Sequence, residues 1–292
     1  MKGEQAEVLM FGVVGATGRT GRVVAEALLA HGSEVRAIVR RDEAVRAWRE
    51  RGAEAIVAPL EESLDGAFAG LEALYVILPE DPRRTDFHAA RRRMTRAIGD
   101  AVEGCGVAHV VLLSTFAAAL ADGNGPARDL HALEERLARA GCCLTTLRGA
   151  YFQENVAMAL VPARHEGIFP TISAAPSQRI PTVATCDVGR AAARCLLEPP
   201  RGSVTIGLAG PGYSIDEMAG LLGKALGRVL QVVAIPREAQ VGALVGAGLS
   251  DELARAVVEM QACVESGRVP FHADRWVDCP TRLEQTLDTL LG

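Results

Sequence analysis

The sequence contains no apolar run of about 18 residues, and its first residues, MKGEQAEV, carry no apolar core of the secretory-signal kind. A membrane span is therefore not expected, and a cytoplasmic protein is. No C-x-x-C occurs, and no histidine stands at zinc spacing from any of the seven cysteines. Apart from the adjacent Cys142 and Cys143 they are scattered, so the expected state is buried free thiols with no metal site. Basic charge is not in excess: the formal net charge of −5 gives no nucleic-acid footprint. The cluster Arg91, Arg92 and Arg93 shares a helical stretch with Asp86 and Asp100 and reads as a solvated face. There is no G-x-S-x-G, which disfavours a serine hydrolase, and no internal repeat or low-complexity segment. Aromatic residues are scarce, at 4%, so places where two adjoin carry information. With 292 residues, 49% hydrophobic, the chain can bury a large core as one domain or two closely joined lobes.

The stretch around which the rest is arranged is 8–32, VLMFGVVGATGRTGRVVAEALLAHG. Residues 8–14 are apolar on both faces, as in a strand buried between helix layers. Gly15, Gly18 and Gly21 follow, in a G-x-x-G-x-x-G spacing. Gly15 suits a tight turn, Gly18 close approach of a pyrophosphate, and Gly21 close packing of helix on strand. The register Gly12, Gly15, Gly18 would leave too short a strand. Thr17, Arg19 and Thr20 fall where the new helix offers unpaired N–H groups to phosphates. No lysine lies in this loop, which argues against an NTPase phosphate loop. The alternative is a structural turn in another α/β protein.

A second strand over 34–40 ends in Arg40 and Arg41. At this place in a dinucleotide fold an acid selects NAD, while an arginine suits the 2′-phosphate of NADP. No acid occurs before Asp42, so NADPH is expected; two surface arginines ending a strand is the alternative. Further strands are expected at 53–58, 71–78, 109–114 and 144–148, with helices at 43–51, 85–104 and 127–140. Leu78 and Pro79 end the fourth strand, and Ser114 and Thr115 the fifth, on the rim that binds ligands in an open parallel sheet. The alternation predicts an α/β fold, a Rossmann-type doubly wound parallel sheet with a smaller, mostly helical C-terminal lobe. The expected division is 1–150, joined by 187–209, and 151–292. In the second part Tyr151 and Phe152 bring two aromatics together beside Gln153 and Asn155, as a pocket for a flat organic molecule would, or as anchors of a following helix. Asp187 is expected to cap a helix to 197, and 204–208 to return to the main sheet. A strand is expected at 229–235 and helices at 237–247 and 250–267. Capping boxes are read at Ser214–Glu217 and at Thr281–Glu284.

GATGRTG, VRAIVR, the H-x-x-E-x-x-L-x-x-x-G pattern of 131–141, TTLRGAYFQEN and PTRLEQTL together resemble the NmrA-like family of atypical short-chain dehydrogenases, almost end to end. The resemblance implies a Rossmann domain with a small lobe over the cofactor. It places Gly15, Thr17, Gly18, Arg19 and Thr20 at the pyrophosphate, Arg40 at the 2′-phosphate, Leu78 and Pro79 along the cofactor, and Tyr151 and Phe152 near nicotinamide and substrate. Some members are NADPH-dependent reductases of quinones, dyes or phenylpropanoids; others bind dinucleotide as regulators. This sequence departs from ordinary short-chain dehydrogenases in lacking Tyr-x-x-x-Lys. His131 stands where several reductases have lysine, as in the bacterial quinone-reductase branch, and Ala58-Pro59-Leu60 replaces a usual Gly-Asp-Leu.

A hydride can move without a strong acid when the acceptor stabilises its own charge, as a quinone does. Where a proton is needed, His131 is the candidate, since histidine titrates near neutrality; it is equally suited to holding the ribose. The expected catalytic residues are His131, Ser114 and Tyr151. The expected function is NADPH-dependent reduction of an aromatic or conjugated small molecule by a monomer or homodimer without nucleic-acid or membrane partners. A non-catalytic NADP-sensing regulator is the alternative.

Overall fold

The computed structural model describes residues 9–292; Val8, at the start of the expected first strand, lies outside them. In chain order the first half comprises β1 (Met10–Val14), α1 (Arg19–Ala30), β2 (Glu34–Val39), α2 (Glu43–Glu50), β3 (Glu54–Val57), α3 (Asp65–Phe68), β4 (Ala73–Val76), α4 (Phe87–Cys105), β5 (His109–Thr115), α5 (Ala127–Ala138) and β6 (Cys143–Gly149). There follow β7 (Tyr151–Phe152), α6 (Leu160–His165), β8 (Ile168–Thr171), β9 (Ile180–Val183), α7 (Thr185–Leu197), β10 (Val204–Ala209), β11 (Gly212–Tyr213), α8 (Ile215–Ala225), β12 (Gln231–Ala234), α9 (Gln240–Gly246), α10 (Asp251–Glu265), β13 (Arg275–Asp278) and α11 (Leu283–Leu291).

Eight strands form one parallel sheet in the order β13-β10-β6-β5-β4-β1-β2-β3. The chain starts at β1 and winds outward to β3, then crosses to β4 and winds the other way. The order therefore reverses between β1 and β4, and ligands bind outside the carboxyl ends at such a crevice. Both faces of the sheet are covered. Val13 faces a core with Val24 and Leu28 of α1, Trp48 of α2 and Val188 of α7, while Val14 faces one with Phe68, Ile98 of α4 and Leu133 of α5. A third core, with Val156, Phe169, Tyr213, Leu222, Leu283 and Leu287, belongs to the second half of the chain.

The strand at β10 joins β6 as the pattern over 204–208 anticipates. An eighth strand, β13, pairs with β10 and was not anticipated, because RWVD has only short apolar content. The expected strand at 229–235 is β12, paired with β8 in a separate two-stranded ribbon. The Ser214 cap forms as read: Ser214 Oγ accepts from the Glu217 N–H at 3.1 Å and the Glu217 carboxylate accepts from the Ser214 N–H at 2.8 Å.

Two expected caps do not form. The helix assigned to Asp187 starts earlier, at Thr185, and its first donors are taken by Glu154, whose Oε1 accepts from the Thr185 N–H at 2.8 Å and hydroxyl at 2.6 Å. Asp187 instead accepts from the N–H and hydroxyl of Thr281, each at 2.9 Å. Thr281 is thereby drawn out of its own helix, and α11 starts after Arg282, whose N–H donates to the Gln285 side chain. Nearby, buried Gln153 donates to the Thr281 carbonyl and to Thr182, and accepts from Thr286 at 2.6 Å. The thiols are free, but only Cys195, Cys263 and Cys279 are buried, and Cys143, the first residue of β6, is exposed.

Gln153→Leu would fill the same space while removing the donor to the Thr281 carbonyl and the acceptor of the Thr286 hydroxyl. The expected loss is about 2 kcal/mol of unfolding free energy, read as a lower urea midpoint with an unchanged slope.

Candidate dinucleotide and active site

The turn between β1 and α1 is fixed by two glycines for different reasons. Gly15 adopts φ +71° and donates its N–H to the Ile38 carbonyl of β2 at 3.1 Å. At Gly21 a Cβ would lie 2.3 Å from the Gly15 carbonyl oxygen, so no other residue lets the helix approach the turn this closely. Gly18 occupies the N-cap and no side chain caps the first N–H groups of α1. Thr17, Gly18 and Arg19 around it are exposed. The Gly18 N–H closes the turn onto the Gly15 carbonyl at 2.8 Å, and the exposed turn with the uncapped head of α1 beyond it fits a pyrophosphate. Thr20 differs from its neighbours: its side chain is buried and accepts a hydrogen bond from the Tyr75 hydroxyl at 2.9 Å. Burial pushes the Tyr75 phenol far above its usual range, so it remains a donor.

Arg40 and Arg41 lie exposed just beyond β2. Arg40, Pro59, Leu60, Pro79, Phe87 and Arg91 are among the residues around a cleft of about 220 Å³ at the carboxyl ends of β2, β3 and β4. The cleft thus brings Arg40 and Pro79 together, with Leu78 buried behind.

On the other side of the crevice, Ser114 is buried and donates to Glu134 of α5 at 2.5 Å, and the second Glu134 oxygen accepts from Arg148 of β6 at 2.8 Å. Ser114 and Arg148 are partners in the β5–β6 register. Glu134 is therefore committed to the ends of β5 and β6. His131 Nδ1 lies 2.9 Å from the Ala118 carbonyl, which can only accept, so Nδ1 carries a proton. Its Nε2 is 3.6 Å from Glu135. Buried Asn124 donates to the Ala117 and Leu120 carbonyls, both at 2.8 Å. The turn Phe116–Ala119, which follows Ser114 and Thr115 directly, is thus clamped by two side chains from the following loop and helix. Its Phe116 ring packs with Phe271 and Trp276, at centroid distances of 4.0 and 5.5 Å.

Tyr151 and Phe152 divide the roles that sequence left open. Phe152 packs inward, its ring against the space beside Gly149, where an added Cβ would lie 3.0 Å from it. Tyr151 exposes 38% of its surface. Surrounding protein nonetheless desolvates its phenol and raises its pKa, with the Asn155 side chain opposing.

Arg91 corrects the reading of the arginine run. Arg92 is exposed and Arg93 partly so, but Arg91 is 2% exposed and lies beneath the Leu78–Pro79 turn. A signal existed: Phe87, Arg91, Met94 and Ile98 share one helical stripe, in which a lone arginine is a core position. Glu134 and Asn124 gave no comparable signal, because their partners are backbone groups or residues on other elements. Among the described residues no cluster is arranged to hold a metal ion, and no helix is long and apolar enough to cross a membrane.

Over 253 residues the chain is 26% identical to an NAD(P)H azoreductase of Xenophilus azovorans, covering 86% of this chain and 85% of that one. Its structure resembles that of a Citrobacter sp. triphenylmethane reductase complexed with NADP(H), at 25% identity, TM-score 0.76, and coverage of 97% and 100%. The fold is also shared with an NADPH-dependent quinone oxidoreductase of Escherichia coli, at 24% identity, TM-score 0.76, and coverage of 97% and 100%. The family model described as the NmrA-like family matches residues 10–274, and to that family this chain belongs.

Proposed function

We propose that the protein is an NADPH-dependent oxidoreductase that reduces a quinone-like or otherwise conjugated small molecule. The observation that carries this is the bare glycine cradle at the head of α1, set at the crevice between β1 and β4 with Arg40 over the adjoining cleft. The named relatives support the substrate class, since quinones, azo compounds and triphenylmethane dyes all delocalise the charge that accompanies hydride addition. Bound NADPH supplies the hydride.

The protein's own part is binding, orientation and exclusion of water. The unpaired backbone N–H groups at the head of α1, that of Thr20 among them, hold the pyrophosphate with the exposed Thr17 and Arg19, while Gly15 and Gly18 shape the turn. Arg40, with Arg41 beside it, neutralises the 2′-phosphate. Leu78 and Pro79 line the cofactor's course, and Ser114, held by Glu134, fixes the strand end beside the nicotinamide. Tyr151 keeps its proton and offers a hydroxyl donor toward an acceptor oxygen or nitrogen, with Phe152 packed behind it. His131 serves this site by positioning: its Nδ1–H holds the Ala118 carbonyl, and Nε2 alone is left to face a ligand. The acceptor lies on the 151–292 side of the crevice.

The direct test is loss of NADPH absorbance with purified protein and a panel of quinones, azo dyes, triphenylmethane dyes and enones. Turnover of at least one conjugated acceptor is expected; tight NADPH binding with no turnover across the panel would point to a dinucleotide-sensing regulator instead.

Arg40→Ala is expected to weaken NADPH about ten- to a hundredfold while leaving NADH nearly unaffected, because only NADPH presents the 2′-phosphate. Equal losses, measured by fluorescence titration of both cofactors, would confine Arg40 to closing the strand.

His131→Asn places an amide donor where Nδ1 was and removes Nε2. With quinone acceptors kcat is expected to stay within about threefold. A fall of about 10²–10⁴-fold, the range for lost general acid catalysis, would make His131 the proton donor.

A further inference from the structure

Pro79 closes the fourth strand at the rim of the cleft, and it lacks the N–H that would tie it to a ladder. The β4 register ends at Val76, paired with Leu112, so the next three residues reach the rim without sheet pairing. Ile77 leans on the glycine turn: a Cβ at Gly15 would lie 2.9 Å from its Cγ2. What holds Leu78 and Pro79 is their carbonyl groups, which turn inward to Arg91. Its Nη1 donates to the Leu78 oxygen at 3.1 Å and to the Pro79 oxygen at 3.3 Å.

An arginine buried this deeply needs compensation; Glu80 on the rim gives part of it, 3.9 Å from Nη1, and a second helix the rest. Asp129 of α5, 4% exposed, places Oδ2 3.3 Å from Arg91 Nε, and the same oxygen accepts from His88 Nδ1 at 2.7 Å. Phe87 lies with its ring 5.1 Å from the guanidinium carbon. His88, Asp129 and Arg91 thus join α4 and α5 beneath one short stretch of rim, and Arg91 borders the same cleft as Arg40.

We propose that Arg91, held by Asp129 and His88, is the positioning residue for the adenosine end of the dinucleotide: it fixes the Leu78–Pro79 carbonyls so that the rim forms a rigid wall opposite Arg40. This rests on the reading of the cleft as the cofactor's. It separates two kinds of arginine at one site, Arg40 meeting the cofactor's charge and Arg91 meeting the protein backbone that shapes the wall. Asp129 also lies on the helix that carries His131, so the device ties the adenosine wall to the helix beside the nicotinamide.

The test compares wild type with Arg91→Lys, Arg91→Met and His88→Gln. The readouts are binding of NADPH and of 2′,5′-ADP, which represents the adenosine end alone, steady-state kinetics with whichever acceptor wild type reduces, and urea midpoints. Arg91→Lys is expected to weaken both ligands by a similar factor, about tenfold as for a lost charge-assisted hydrogen bond, with KM for NADPH rising more than kcat falls. Arg91→Met should be weaker still, so that lysine recovers part of the loss. His88→Gln leaves Arg91 in place and should show the same pattern at about threefold, which keeps the test decisive if the Arg91 variants fail to fold. Folded variants with lowered urea midpoints but wild-type affinity for 2′,5′-ADP would overturn the proposal and make the cluster one of stability only. Wild-type protein that binds neither NADPH nor 2′,5′-ADP would overturn the reading of the cleft, and the proposal with it.

Discussion

Helix α1 has almost no freedom of placement, and the site follows from that. On its sheet side Gly21 lets the backbone come so close to the Gly15 carbonyl that a methyl group would not fit. On its outer side Gly189 of α7 does the same, where an added Cβ would lie 2.5 Å from the Val23 Cβ and 3.0 Å from the Thr20 carbonyl. The helix is clamped between turn and neighbour at close-packed distance, where small volume changes are strongly felt. Its uncapped N-terminus is therefore held at a fixed point on the rim, and a fixed array of donors costs less reorganisation when an anion arrives.

Across the crevice the same economy of motion is reached with polar groups. Glu134 spans Ser114 and Arg148 at 13% side-chain exposure, and Asn124 with His131 secures the carbonyls of the turn that follows β5. The bonds of Asn124 and His131 fix main-chain carbonyls, and those of Glu134 tie α5 to the side chains at the ends of β5 and β6. Buried polar groups of this kind are costly when half-satisfied and rigid when paired. The bonds of Glu134, Asn124 and His131 lie around the carboxyl ends of β5 and β6.

Much of the fold was legible because its signals are local. Apolar runs bounded by glycine or proline gave the first six strands to within a residue or two, and the spacing of Gly15, Gly18 and Gly21 foretold a turn whose geometry only glycine permits at two of the three positions. Arg40 could be placed at a strand tip for the same reason. What stayed hidden was set by partners far along the chain. Asp187 has the composition of a cap, yet Thr281, 94 residues away, takes its carboxylate and leaves the capping to Glu154. Arg91 opens a run of three arginines whose other two reach water, and its partners lie on α5 and on the turn after β4. Glu134 was visible as a motif residue, but a motif does not name the partners that other strands bring to a carboxylate.

The strand order of the main sheet bears on how the chain assembles. β6 is complete by Gly149, but its outer neighbour β10 arrives only with residues 204–209, and β13 with 275–278. During synthesis one edge of a long, apolar parallel sheet stands unpaired while the third core, in the intervening sequence, is being made. Parallel pairing across such separations is slow, and open edges invite pairing with other chains. The short RWVD strand, with its arginine and aspartate at either end of the outermost position, closes that edge late and with charge, so the last strand to form is also the one that protects the finished sheet from its neighbours.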